Sequence, residues 1–255
     1  MRIEQVAAQL YTVRQHMKSP EETAATLKRV REIGYQAVQL ASMGDLSEAE
    51  IARMLKEAGL TCFSSHENPE RLLDEPAAVV KRMEQLGCRF PVLPHPGRGF
   101  SSADEVRAYA ARLNAAGRVF HEAGMTLCYH NHSMEFRRYD DRLMLEILYG
   151  ETDPQYVQAE LDTFWVQHGG GDAEDWCRQL KGRLPLLHLK DYAMGDDSKP
   201  TFAEIGNGNL NWKKIIAAAE ESGCRWFTVE QDICPGDPLD SLRTSFEYIR
   251  QHLAS

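Results

Sequence analysis

The chain has 255 residues, 43% of them hydrophobic and 26% charged, and a formal net charge of −9. That length suits one eight-fold barrel and is enough to bury a full core, while the acidic balance argues against a surface built for nucleic-acid phosphates. No apolar run approaches the ~18 residues of a membrane span, residues 1–5 carry no hydrophobic signal core, and the six cysteines form no CxxC pair, so free thiols in a reducing cytoplasm are expected.

Short apolar runs alternate with helix-period segments along the whole chain. The pattern predicts a strand over 5–10 and a helix over 20–33, opened by Ser19-Pro20, a cap followed by proline at the first helical position. A strand over 37–40 and a helix over 47–58 follow; the helix begins Ser-Glu-Ala-Glu, a capping box, and stops at Gly59. The same alternation predicts strands over 61–65, 90–93, 126–130, 158–162, 184–189 and 226–230, separated by helices over 69–86, 102–123, 141–149, 173–180, 212–222 and 238–252. Eight strands alternating with eight helices imply a parallel sheet with right-handed crossovers. With no linker or shift in composition, the expectation is one domain over 1–255, a single (β/α)8 TIM barrel of the α/β class. Glycines 34, 59, 87, 124 and 223 each end a helix just before a strand, which puts short turns on one face and the longer polar loops on the other.

The candidate chemistry lies at the strand ends. Met125-Thr-Leu-Cys-Tyr-His-Asn-His132, Val157-Gln-Ala-Glu-Leu-Asp162, Leu184-Pro-Leu-Leu-His-Leu-Lys190 and Arg225-Trp-Phe-Thr-Val-Glu230 are each an apolar run that finishes in a metal-ligating type of group. Such groups converge only in a closed parallel barrel, at the carboxyl face where barrel enzymes keep their sites. The candidate ligands are His130, Asp162, His188 and Glu230. Taken alone, Asp162 also fits a helix N-cap, His188 a satisfied core histidine, and Glu230 a surface residue at a strand end. Alternation places His188 and Lys190 on one inward face, where both are costly unless they bind something. One of His130 and His132 is free to address substrate while the other ligates, and Glu135 follows in the same loop. Imidazole mixed with carboxylate suits manganese, zinc, cobalt or iron better than calcium. Around this knot His66, His95, Trp165 and His168 are candidate substrate-binding residues, with Glu67, Gln9 and Gln39 at nearby strand ends. Each alone reads more readily as structural than as functional; together they form a polar, aromatic rim suited to a sugar. The glycine-rich 205–212 lacks the GxGxxG spacing of a phosphate cradle and reads as a turn into a helix.

Tyr129-His-Asn-His-Ser-Met-Glu-Phe136, Leu161-Asp-Thr-Phe-Trp165, His188-Leu-Lys-Asp191, Gly206-Asn-Gly-Asn-Leu-Asn-Trp212 and Val229-Glu230 resemble the xylose isomerase-like barrels, which comprise sugar phosphate isomerases/epimerases, inosose dehydratases and endonuclease IV. The resemblance runs over nearly the whole chain and specifies the superfamily better than the substrate. It implies one divalent metal ion (manganese, zinc, cobalt, iron or magnesium) held by Glu, Asp, His and Glu at the ends of strands five to eight. The last three correspond to Asp162, His188 and Glu230; the first falls on His130, with Glu135 as an alternative ligand from the loop. In the epimerases of this group the two glutamates act as paired bases. The resemblance therefore implies a metal-dependent isomerase or epimerase acting on a sugar through an enediolate, with Glu230, His132 and Lys190 as catalytic residues. Loss of one glutamate adds weight to a dehydratase or lyase. Endonuclease chemistry is disfavoured by the acidic charge, and a non-catalytic sugar-binding barrel is the remote alternative. The expected partner is a small sugar, with neither nucleic acid nor membrane; a homo-oligomer is compatible with the sequence.

Overall fold

The computed structural model describes residues 1–41, 43–139 and 141–255. Eight parallel strands, β1 (Val6–Gln9), β2 (Ala37–Leu40), β3 (Thr61–His66), β4 (Phe90–Leu93), β5 (Leu127–His130), β6 (Val157–Asp162), β7 (Leu186–Leu189) and β8 (Trp226–Val229), pair in chain order, and β8 closes on β1. This is the expected TIM barrel, and each strand lies within two residues of its predicted bounds at either end. Helices Pro20–Ile33 and Pro238–His252 match the predicted ranges outright. The glycine signal explains the accuracy: all five predicted cap glycines take positive φ, so each helix ends where its sequence changes period.

The helices bury one face against the strands. In Ala103–Glu122 the buried positions Val106, Tyr109, Ala110, Leu113, Ala116, Gly117 and Phe120 follow the 3.6-residue period. At Gly117 a side chain would run into the backbone of Tyr156, so the close approach there requires glycine. The capping box is formed: Ser47 Oγ accepts from Glu50 N–H and Glu50 accepts from Ser47 N–H. No helix is long and apolar enough to cross a membrane among the described residues.

Two expectations need correction. The helix predicted over 69–86 is two helices, Pro69–Asp74 and Pro76–Leu86, because Pro76 has no N–H to donate and turns Glu75 to φ −129°, ψ 47°. The helix predicted over 141–149 is Met144–Glu151, since Arg142–Leu143 pairs instead with Arg138–Tyr139. A short helix, Thr163–His168, and a hairpin of Asp191–Met194 with Pro200–Ala203 were not anticipated.

The barrel interior is layered. Ala7, Ala37, Phe63, Phe90, Cys128 and Leu186 form an apolar plug with Trp226, whose ring stacks 4.5 Å from that of Phe63. One inward step along the strands, at Gln9, Gln39, Glu160, His188 and Thr228, the interior turns polar while remaining fully buried. A further step reaches Asp162, Lys190 and Glu230. The plug fills the amino-terminal end of the interior, and the polar layers lie on its carboxyl side.

Candidate metal centre and substrate cavity

His130 from β5, Asp162 from β6, His188 from β7 and Glu230 just past β8 bring one ligand atom each to within 4.8 Å of one another, and all four are buried. The sequence places every one at a strand end, and barrel closure brings them together. His130 Nε2 lies 3.2 Å from Asp162 Oδ2, and His188 Nδ1 lies 3.0 Å from Glu230 Oε2 and 3.7 Å from Asp162 Oδ2. The outer nitrogens are pinned from outside the ring. His130 Nδ1 donates to the carbonyl oxygen of Pro94 at 3.0 Å, and His188 Nε2 meets Gln39 Oε1 at 2.6 Å. A neutral imidazole with its proton on the outer nitrogen turns a lone pair inward. Two lone pairs and two carboxylates then face one point, a donor set that fits a divalent cation.

Asp162 serves two ends. Its Oδ1 caps the helix Thr163–His168 by accepting from Trp165 N–H at 3.0 Å, which leaves Oδ2 to the ring. Lys190, fully buried, sets its Nζ 3.2 Å from Asp162, 2.9 Å from Glu230 and 3.0 Å from Asp232, and over the Trp165 ring at 5.4 Å. Burial opposes charge at every one of these groups, but the pairing wins. Lys190 and His130 hold Asp162 well below the usual carboxylate range, and Lys190 and His188 do the same for Glu230. Asp162 and Glu230 in turn raise Lys190, and Glu160 foremost raises His188 well above the ordinary imidazole value. His132 is pushed down to about 3 by burial and by His130.

A cavity of about 690 Å³ opens onto this ring, lined among others by Tyr11, His66, His95, His130, His132, Lys190 and Glu230. His132 and Trp165 stand side by side, ring centroids 5.2 Å apart, and His132 Nδ1 and Trp165 Nε1 make no hydrogen bond among the described residues. Exposed His168 lies behind Trp165, with ring centroids 5.5 Å apart, and is not among the residues lining the cavity. Glu67 is committed to Arg82 and to Ser65 Oγ. Glu135 does not reach the ring: it accepts from Tyr129 Oη at 2.7 Å and from His132 N–H at 2.8 Å, and burial raises its carboxyl to about 7. Glu135 is therefore outside the group of four whose ligand atoms converge, and His130 is inside it. Asp191 accepts from the N–H groups of Gly206 and Gly208 and from Trp212 Nε1, so the glycine-rich segment is a loop tied to the hairpin, as its lack of a phosphate-cradle spacing implies.

Glu160 escaped the sequence reading. It is fully buried within the barrel, 2.7 Å from His66 Nε2 and 3.2 Å from His188 Nε2, and with them forms a second ligand-type cluster under the first. The signal was present: Glu160 precedes Asp162 by two residues on the same strand and so shares its inward face.

The family model for the xylose isomerase-like TIM barrel matches residues 27–252. An inosose dehydratase of Clostridium perfringens is 23% identical over 175 residues, covering 61% of this chain and 57% of that protein; the chain thus spans a little over half the length of this relative. Among solved structures, a sugar phosphate isomerase/epimerase from Parabacteroides distasonis superposes with a TM-score of 0.86 at 23% identity, covering 99% of this chain and 96% of that one. A probable 3-DHS dehydratase from Bacillus anthracis gives 0.76 at 13% identity, covering 99% and 100%. These likenesses establish the fold.

Proposed function

We propose that this chain, which belongs to the xylose isomerase-like TIM barrel family, is a divalent-metal-dependent enzyme that removes a proton from the carbon beside the carbonyl of a sugar or keto-sugar, as an isomerase or epimerase does. The observation that carries this reading is the buried ring of His130, Asp162, His188 and Glu230 at the floor of an open polar cavity. A divalent cation held by these four residues (manganese, zinc, cobalt, iron or magnesium) would supply Lewis-acid polarisation of a carbonyl and its neighbouring hydroxyl.

The chain's own residues supply the rest. Glu230, ionised under the influence of Lys190 and His188, is the general base for the carbon-bound proton. The Lys190 ammonium is fixed between three carboxylates and stands ready to offset negative charge that develops on the substrate oxygen, in a setting where water competes poorly. His132, with Nδ1 unpartnered, is placed to carry a proton to or from a substrate oxygen. His66 and His95 on the cavity wall and Trp165 beside His132 bind sugar hydroxyls and a ring face, and His168 steadies Trp165 from behind. The acidic chain favours an uncharged or weakly charged sugar over nucleic acid.

A second reading, dehydration or lyase chemistry, is favoured by one feature. The strand-five position is His130, so the ring contains no second glutamate to act as the opposing base. Relatives named inosose dehydratase support the same reading. Both outcomes begin with the same proton abstraction, and running the reaction in deuterated water separates them. An isomerase or epimerase returns product labelled at the exchanged carbon, whereas a lyase yields an unsaturated or deoxy keto product. A turnover that introduces no solvent label and keeps the substrate's own deuterium at that carbon excludes the proton-abstraction route.

A further inference from the structure

Beneath the four-ligand ring, the barrel holds a polar layer to which the chemistry above gives no role, and the direction of its hydrogen bonds can be read. Gln9, Gln39, Ser64 and Glu160 are all fully buried. The backbone N–H of Tyr11 donates to Gln9 Oε1 at 3.2 Å, which orients the Gln9 amide so that its Nε2 donates to Gln39 Oε1 at 2.6 Å. Gln39 Nε2 donates to Ser64 Oγ at 2.7 Å and to Glu160 Oε1. A carboxylate only accepts, so the Gln39 amide is held one way round from both sides. The two atoms nearest His188 Nε2 in this layer are then acceptors: Gln39 Oε1 at 2.6 Å and Glu160 Oε2 at 3.2 Å. His188 must carry a proton on Nε2, and in the neutral ring its lone pair sits on Nδ1, the atom that faces Asp162 and Glu230. The same Glu160 Oε2 meets His66 Nε2 at 2.7 Å. That contact fixes the His66 proton on Nε2 too, and leaves Nδ1 as the acceptor on a ring that lines the cavity.

We propose that Glu160, acting with Gln39, is a positioning residue that holds two imidazoles in one tautomer at once: His188 with Nδ1 turned to the cation, and His66 with Nδ1 turned to accept from a substrate hydroxyl. The inference rests on the metal reading for its His188 half and on geometry alone for its His66 half. The physical basis is general. A metal-ligating histidine whose second nitrogen donates to an oxygen acceptor, most often a carboxylate or a carbonyl, is oriented and made more basic, and removal of that partner weakens metal binding about 10–100-fold. Here one carboxylate reaches two histidines from different strands, so cation affinity and substrate affinity depend on the same side chain. A carboxylate with only a packing role would leave both affinities and the His66 tautomer unmoved when replaced by its isosteric amide.

The test compares the full chain with its Glu160→Gln variant in three measurements. Calorimetric titration with manganese reads cation affinity, and steady-state kinetics separates KM from kcat. Long-range 1H–15N NMR reads the protonated nitrogen of His66. The expected result is manganese binding about 10–100-fold weaker in Glu160→Gln, a raised KM, and a wild-type His66 protonated on Nε2. Equal manganese affinity in the two proteins, where the wild type binds, overturns the inference and leaves the metal reading intact. A wild type that binds no manganese overturns the metal reading instead. The His66 tautomer then decides the remaining half, with a proton on Nδ1 overturning it. If Glu160→Gln does not fold, Glu160→Asp, which keeps the charge and withdraws it by one methylene, takes its place in all three measurements.

Discussion

Strands β5 to β8 end in side chains that carry or trade charge, His130, Asp162, His188 and Glu230, whereas β1 to β3 present the uncharged Gln9, Gln39 and Ser64 to the interior just below. The two halves face each other across the same barrel and are joined at Glu160 and His188. Their difference separates affinity from direction. The charged half concentrates anions that a proton, the Lys190 ammonium or a cation can satisfy. The amide half has no titrating group among Gln9, Gln39 and Ser64; it fixes which nitrogen of His188 is protonated, starting from a backbone N–H that cannot change.

If the charged half holds the chemistry, Glu230→Gln lowers kcat by about 10²–10⁴-fold with unchanged circular dichroism. Turnover within a few-fold of the wild type moves the base elsewhere in the cavity. The next largest effect is on stability. Lys190→Met leaves Asp162 and Glu230 without their buried ammonium, and denaturant unfolding of the metal-free protein should show a loss of about 3–5 kcal/mol. Added manganese should recover a large part of that loss, on the order of 2.7 kcal/mol at a hundredfold excess over Kd. A loss that manganese leaves untouched separates Lys190 from the ring.

A smaller effect sits beside the ring, at Glu135, whose carboxyl burial raises from 4.5 to about 7. Between those two values the folded chain holds a proton that the unfolded chain has released, so stability falls as pH rises through this window and the full cost is present above it. Glu135→Gln removes the titration. Its stability relative to the wild type should therefore climb by on the order of 1–3 kcal/mol between pH 4.5 and pH 7, read by chemical denaturation at a series of pH values. A difference that stays flat across the window contradicts the burial argument. The smallest effect belongs to the amide half. Ser64→Ala removes one acceptor from Gln39 and one donor to the Phe90 carbonyl, at about 1 kcal/mol of stability. Manganese affinity should change by less than about twofold, because Glu160 still orients Gln39; a larger change would extend the orienting layer to Ser64.

The same division marks what the sequence made legible. Strand and helix positions could be read from period and from glycines such as Gly59 and Gly87, whose positive φ ends a helix at a defined residue. The ring could be read because each member ends an apolar run. Asp162 shows how two readings of one residue both hold: the N-cap is real at Oδ1, and the ring contact is real at Oδ2. The amide layer stayed hidden because a lone glutamine near a strand end has no sequence mark that separates an oriented partner from a rim residue, and only barrel closure brings Gln9 and Gln39 to Glu160. The break at Pro76 was legible in principle, since a proline inside a helix-period run costs a hydrogen bond wherever it falls.

The central claim is that one cation sits on His130, Asp162, His188 and Glu230. A crystal of the full chain soaked in manganese and measured at the manganese absorption edge tests it most directly. A single strong anomalous peak is expected, bonded to His130 Nε2, Asp162 Oδ2, His188 Nδ1 and Glu230 Oε2. A peak that lies on Glu135 or on Glu160 and His66 alone, or no peak at saturating manganese, contradicts it.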